Sequence, residues 1–332
     1  MTKKKFVYLF PGQGAQYQGM ALDFLNAGGG AVKKLFDSAS EIFQRDSEAM
    51  LRDSDAEALK RTDVSQPAVT LANLAAAFYL AEKGYSPAAC AGFSLGEYAA
   101  LVCSGVISAE DCFRLVKVRG EAMQKSADRL QEAASSGGSS AAPGMAAVMG
   151  LPVKQAEDLI AEWTAAGLEN LYAANINSSK QLVVSGTAAA LAEAEARFKE
   201  AGAKRVLRLQ VAGPFHSPLI ADAAEAFRPA LEQITFNDPA VPLYSNVTGG
   251  RVSSGEEAKR LSLLQITSPV RWVDVEAAIA ANAVADGASV TDACLETGPG
   301  KVLQGLWRDT GSEIPVFAAG TVEDIAKIAS DI

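Results

Sequence analysis

The 332-residue sequence holds a single histidine, His216, and only four cysteines, none in a CxxC pair or at metal-like spacing. An ordinary zinc site draws on imidazoles and paired thiols, so no metal is expected. Cys90, Cys103, Cys112 and Cys294 lie in apolar runs, the setting of buried free thiols. Positive charge is also short. Thirty Lys and Arg against 39 Asp and Glu give a net charge of -9, which argues against a general nucleic-acid binder. Nowhere do 18 apolar residues run together, so no membrane span is expected. The basic Met1 to Lys5 is followed by an apolar run, Phe6 to Phe10, that is too short for a signal-peptide core and is broken by Pro11-Gly12. These absences lead us to expect a cytoplasmic protein, and we take it as a monomer. What is present is a globular balance, 49% hydrophobic and 21% charged, enough apolar surface for a sizeable core.

Phe6 to Phe10 reads as a buried strand ending in the loop Pro11-Gly12-Gln13-Gly14. Ser65-Gln66-Pro67 precedes an Ala/Leu-rich helix from Ala68 to Ala81, and a strand follows from Ala88 to Ala91. Gly92-Phe93-Ser94-Leu95-Gly96 then turns into a helical run from Glu97 to Ser104, and Ser108 caps a second helix reaching about Ala127. From Gln131 to Gly144 the chain becomes Ala, Ser and Gly, which predicts a flexible insertion. Residues 144–209 read strand, helix, strand, strand, helix, strand, the order of a ferredoxin-like unit. We therefore expect an α/β protein with a mainly parallel sheet, its catalytic domain formed by 1–143 and 210–332, and a small inserted subdomain at 144–209. Further buried strands are expected at Val241 to Ser245 and Ala293 to Glu296, and helices at Val273 to Asn282 and Pro299 to Arg308.

Gly92-x-Ser94-x-Gly96 between a strand and a helix is a nucleophile elbow, in which small flanking residues allow a strained turn that lifts the serine hydroxyl above the sheet. The helix start aims backbone N–H groups at a developing oxyanion. A serine needs a base, and His216, held between Pro214 and Pro218, is the one histidine to supply it. A carboxylate to orient it is hard to find: the α/β-hydrolase order of Ser, acid, His is poorly met. A dyad oriented by a backbone or amide oxygen fits better. Arg119 falls on an apolar helical stripe with Cys112, Leu115, Val116 and Met123. Such a guanidinium pairs internally, snorkels to solvent, or clamps a substrate carboxylate.

Taken together, Phe10 to Gly14, Gly92 to Tyr98, Arg119, Pro214 to Pro218, Ser245 to Gly249, Ser268 to Trp272 and Gly298 to Gly300 resemble the malonyl-CoA:acyl carrier protein transacylases. The match runs along nearly the whole chain. It implies an α/β-hydrolase-like core and transfer of malonyl from coenzyme A to acyl carrier protein, without metal or redox cofactor. By resemblance Ser94 takes the acyl group, His216 is the base, the amides of Gln13 and Leu95 form the oxyanion hole, Arg119 pairs with the malonyl carboxylate, and the main-chain oxygen of Gln265 orients His216. Met123 and Phe215 are expected at the acyl site, with Phe215 looking like the malonyl-selecting version of its loop. Two departures stand out: Phe93 replaces the family's usual histidine, and the Ser/Gly-rich stretch 132–143 is longer than the family needs. The rival readings are a serine thioesterase or esterase and a non-catalytic carrier-protein-binding module. The first lacks the expected acid order, and the second is disfavoured by the retention of both Ser94 and His216.

Overall fold

The computed structural model describes residues 4–137, 142–282, 284–285, 288–289 and 291–331. Among these the strands, in chain order, are β1 (Phe6–Phe10), β2 (Pro87–Gly92), β3 (Gly144–Met149), β4 (Leu171–Ser178), β5 (Gln181–Gly186), β6 (Arg205–Arg208), β7 (Leu243–Tyr244), β8 (Val284–Ala285), β9 (Ala288–Ser289), β10 (Ala293–Glu296) and β11 (Val316–Ala318). The molecule is an α/β protein with one parallel sheet, order β11-β10-β1-β2-β7, and a separate antiparallel sheet, order β4-β5-β3-β6. Strands β8 and β9 pair only with each other.

Every side chain of β1 is buried, as the continuous run Phe-Val-Tyr-Leu-Phe requires of a strand covered on both faces. Its neighbours β10 and β2 lie on opposite sides, and β2 follows β1 in sequence while β10 comes late. The loops leaving β1 and β2 thus emerge side by side at the carboxyl edge of the sheet, where open α/β sheets place their ligands. One face is covered by the Thr62–Glu82 helix, which packs on Ala109–Ser136 and Gly30–Phe43. This helix is long and apolar enough to cross a membrane by length and composition, but 83% of its apolar window is buried inside the protein. The second sheet has its own apolar core, in which Trp163 and Phe198, from helices Val153–Ala165 and Ala188–Glu200, meet edge to face at 4.7 Å.

Several helix boundaries differ from expectation; the helix expected from Pro299 begins only at Val302. The helix expected to begin at Ala68 starts at Thr62 and contains Pro67. A proline there forfeits one i to i−4 bond and is commonly worth about 3 kcal/mol against a helix interior; burial along almost all of this helix outweighs it. The helix capped by Ser108, whose Oγ accepts from the Asp111 amide, runs not to Ala127 but to Ser136. The Ala-rich segment Gln131–Ser136 therefore extends the helix where the sequence predicted flexible chain, because Ala and Gln carry good helix propensity. Residues 138–141 of that stretch lie outside the described residues. The strand expected at Val241 to Ser245 contracts to Leu243–Tyr244.

Candidate active site

The turn after β2 is compressed to a degree that only glycine allows. A Cβ at Gly92 would stand 2.0 Å from the Gly96 carbonyl carbon, and one at Gly96 would stand 2.1 Å from the Phe10 oxygen. Between them Ser94 takes a left-handed conformation, φ 49°, which costs an L-residue roughly 1 to 2 kcal/mol. That strain is held from two sides. The Ser94 N–H donates to Asn246 Oδ1 at 2.6 Å, and the Ser94 carbonyl accepts from Gln265 Nε2 at 3.0 Å. The result is a hydroxyl projecting from the start of helix Gly96–Cys103.

Ser94 Oγ lies 2.8 Å from His216 Nε2, and His216 Nδ1 lies 2.9 Å from the main-chain oxygen of Gln265. A carbonyl only accepts, so Nδ1 carries the proton and Nε2 is left as the acceptor for the serine hydroxyl. No acid is required for this tautomer. Burial pulls the His216 pKa down to about 4, and the nearby Arg119 cation pulls in the same direction. The imidazole is neutral at physiological pH and ready to accept a proton. His216 is itself left-handed, φ 56°, on a buried loop.

Ser94 and His216 face a cavity of about 500 Å³ between the two sheets. Arg119 reaches it from below and is only 1% exposed. Its Nη2 donates to Gln265 Oε1 at 3.0 Å, its guanidinium carbon lies 5.3 Å from the Tyr98 ring centroid, and its Nε has no partner. Among the described residues no carboxylate lies within ion-pair distance of it. The burial of the cation is offset first by the Tyr98 side chain and then by Glu97, a buried carboxyl whose pKa burial lifts to about 7. A guanidinium stays charged under all ordinary conditions, so this cation is desolvated and only partly compensated. An acyl chain ending in a carboxylate would complete its pairing. Gln13 and Leu95 also border the cavity, and the backbone N–H of neither is spent on a hydrogen bond among the described residues.

The acyl transferase domain family matches residues 7–314. The chain is similar to the malonyl CoA-acyl carrier protein transacylase of Bacillus subtilis (strain 168), 35% identical over 321 residues that cover 97% of this chain and 95% of that protein. The chain belongs to the malonyl CoA-acyl carrier protein transacylase family. It is likewise similar to the transacylase of Escherichia coli (strain K12), 37% identical over 303 residues and 91% of each chain. Among solved structures, a type II PKS acyl-carrier protein in complex with its malonyl-transacylase offers a chain that aligns with TM-score 0.85 at 31% identity, covering 99% of this chain and all of that one. This transacylase-family chain is therefore an acyltransferase, with a fold shared along its whole length.

Of the residues expected from sequence, Ser94, Leu95, Gln13, Arg119, Met123, Phe215 and His216 all border the one cavity, whereas Gln265 stands behind Ser94 and His216 and touches both. Phe93, one of the two departures noted above, packs edge to face on Trp272 at 5.4 Å. Sequence reasoning assigned no role to three further residues. Gln66 sits in the cavity wall with Nε2 on Met123 Sδ and its amide oxygen unpartnered. Asn246 and Glu97 support the turn, Asn246 donating its backbone N–H to Glu97 Oε2 at 2.7 Å. The Ser245 to Gly249 motif carried the signal for Asn246, and the helix start after the elbow carried that for Glu97.

Proposed function

We propose that the protein transfers a malonyl group from malonyl-CoA to the phosphopantetheine thiol of acyl carrier protein through a malonyl-Ser94 intermediate. The observation that carries this reading is the buried Arg119 cation, without an ion-pair partner among the described residues, in the same cavity as the Ser94 to His216 hydrogen bond. A carboxylated acyl group paired with Arg119 places its thioester carbon near Ser94 Oγ. His216 Nε2 takes the hydroxyl proton as Oγ attacks, and the developing oxyanion accepts from the Leu95 and Gln13 amides. Collapse breaks the carbon to sulfur bond, and the Nε2 proton goes to the coenzyme A sulfur. The carrier thiol then gives its proton to Nε2, attacks the ester carbon, and Ser94 recovers its proton as leaving group. Every atom is supplied by the two substrates and the dyad, so neither half-reaction calls on a cofactor.

Met123 and Phe215 shape the acyl site in this reading. We read residues 144–209 as an inserted ferredoxin-like subdomain in an α/β-hydrolase-like catalytic domain of 1–143 and 210–332; the strand order β4-β5-β3-β6 and its separate apolar core support this. A cytoplasmic monomer remains our reading. The test is intact mass after mixing with malonyl-CoA: one malonyl group should be added and then removed by holo acyl carrier protein. An unmodified chain, or an adduct shed to water as fast as to carrier protein, would refute the transfer.

A further inference from the structure

Asn246 is wholly buried, and each of its four polar groups is engaged. Its backbone N–H donates to Glu97 Oε2 at 2.7 Å, and its carbonyl accepts from the Arg271 N–H at 2.9 Å. Its side chain bridges the elbow: Oδ1 accepts from the Ser94 N–H at 2.6 Å, while Nδ2 donates to the Gly92 carbonyl at 2.7 Å. One partner is a pure donor and the other a pure acceptor, so the amide has a single workable orientation. The bridge spans the two peptide groups flanking Phe93 and ends on Ser94, the strained residue itself.

This arrangement has an electrostatic result as well as a mechanical one. Three amides follow one another into the helix, and the first of them, on Ser94, is bound to Asn246 and withheld from the cavity. The Leu95 amide, with that of Gln13 across the gap, is left for an incoming acyl oxygen. We propose that Asn246 is a positioning residue, which fixes the Ser94 turn so that Oγ meets His216 and the Leu95 and Gln13 amides alone face the acyl oxygen. The proposal rests on the reading of Ser94 as nucleophile.

Single-turnover malonylation, followed by intact mass in wild type, Asn246→Ala and Asn246→Asp, tests it, with rates taken per chain that becomes labelled. The alanine variant should acylate roughly tenfold to a hundredfold more slowly, the scale of a misplaced reacting group, with half-saturating malonyl-CoA within about threefold of wild type because Arg119 is untouched. The aspartate variant keeps an acceptor for the Ser94 N–H but turns an oxygen on the Gly92 carbonyl. Its rate relative to wild type should therefore recover as the pH is lowered and the introduced carboxyl becomes a donor, a recovery that a merely structural role would not produce. A per-chain rate in the alanine variant close to that of wild type would overturn the assignment. So would a loss seen only as a smaller labelled fraction, or unfolding of both variants, which would make Asn246 a structural pin. Failure of the nucleophile reading is separately visible, since wild type would then carry no adduct on Ser94, or Ser94→Ala would still acquire one.

Discussion

Replacing Arg119 by alanine should change which acyl group is transferred more than whether the protein folds. In wild type the guanidinium is 1% exposed and its partners are neutral, Gln265 Oε1 and the Tyr98 side chain. Truncating one partner of a buried, hydrogen-bonded charge pair typically costs 2 to 5 kcal/mol. At 1.36 kcal/mol per decade, that is a loss of roughly 30-fold to 5,000-fold in kcat/KM for malonyl-CoA. Acetyl-CoA presents no carboxylate, so its kcat/KM should stay within about threefold or rise, because a desolvated cation no longer opposes an apolar group. Stability should move little. The empty site strands no ion-paired carboxylate when the cation goes, and relief of a buried charge offsets the lost packing of the arginine stem. Arg119→Lys keeps the charge but not the two-pronged donor geometry and should fall between the two. The assay is kcat/KM for both thioesters together with Tm. Equal losses for malonyl and acetyl, with a large fall in Tm, would mean that Arg119 is an internal structural cation and would refute the clamp.

Ser94→Gly should abolish the malonyl adduct and yet raise stability by about 1 kcal/mol, because glycine adopts φ 49° without strain; unchanged or lower stability in chemical denaturation would show that the turn stores no strain. With neutral His216 as the base of the proposed transfer, the acid limb of acylation should fall near pH 4, well below the 6.5 of a free imidazole; a limb at 6 to 7 would contradict the buried, neutral state. Stability linked to His216 is fully present above pH 6.5 and is lost as the pH falls toward 4, because the unfolded chain binds the proton first. The difference in Tm between wild type and His216→Ala, compared at pH 7 and pH 4.5, reads this directly, and a constant difference would refute it.

The parts of the site legible in the sequence are those where chemistry restricts residue type. The elbow shows itself through glycines that leave no room for a Cβ, and the base through being the chain's one histidine. Arg119 announced itself as a charge on an apolar stripe, although that pattern alone left its partner open. Gln265 is different in kind: its contact with His216 is made by a main-chain oxygen, which any residue carries, so only the family resemblance pointed to it. Asn246 acts from a segment 152 positions beyond Ser94, and no local pattern shows which distant amide a side chain will reach. The helix boundaries were misread for a related reason. Pro67 and the Ala-rich Gln131–Ser136 were judged on local preference, where burial in one case and helix continuation in the other prevailed.

The free edge of β4 is not left open. The Ile176 N–H donates to the Val270 carbonyl and the Val270 N–H to the Ala174 carbonyl, each at 2.8 Å, so the smaller sheet gains one borrowed residue from the larger body. The next residue, Arg271, gives its N–H to Asn246, which in turn holds Ser94. Geometry thus passes from the cavity wall to the Ser94 backbone through four neighbouring hydrogen bonds, the last made by the Asn246 side chain. The cavity's outer wall and the Ser94 turn share one mechanical frame, and in the proposed transfer a shift of the smaller sheet large enough to admit a bulkier acyl chain would tug on Ser94. In the proposed transfer, selection by size and readiness to react would be settings of the same lever.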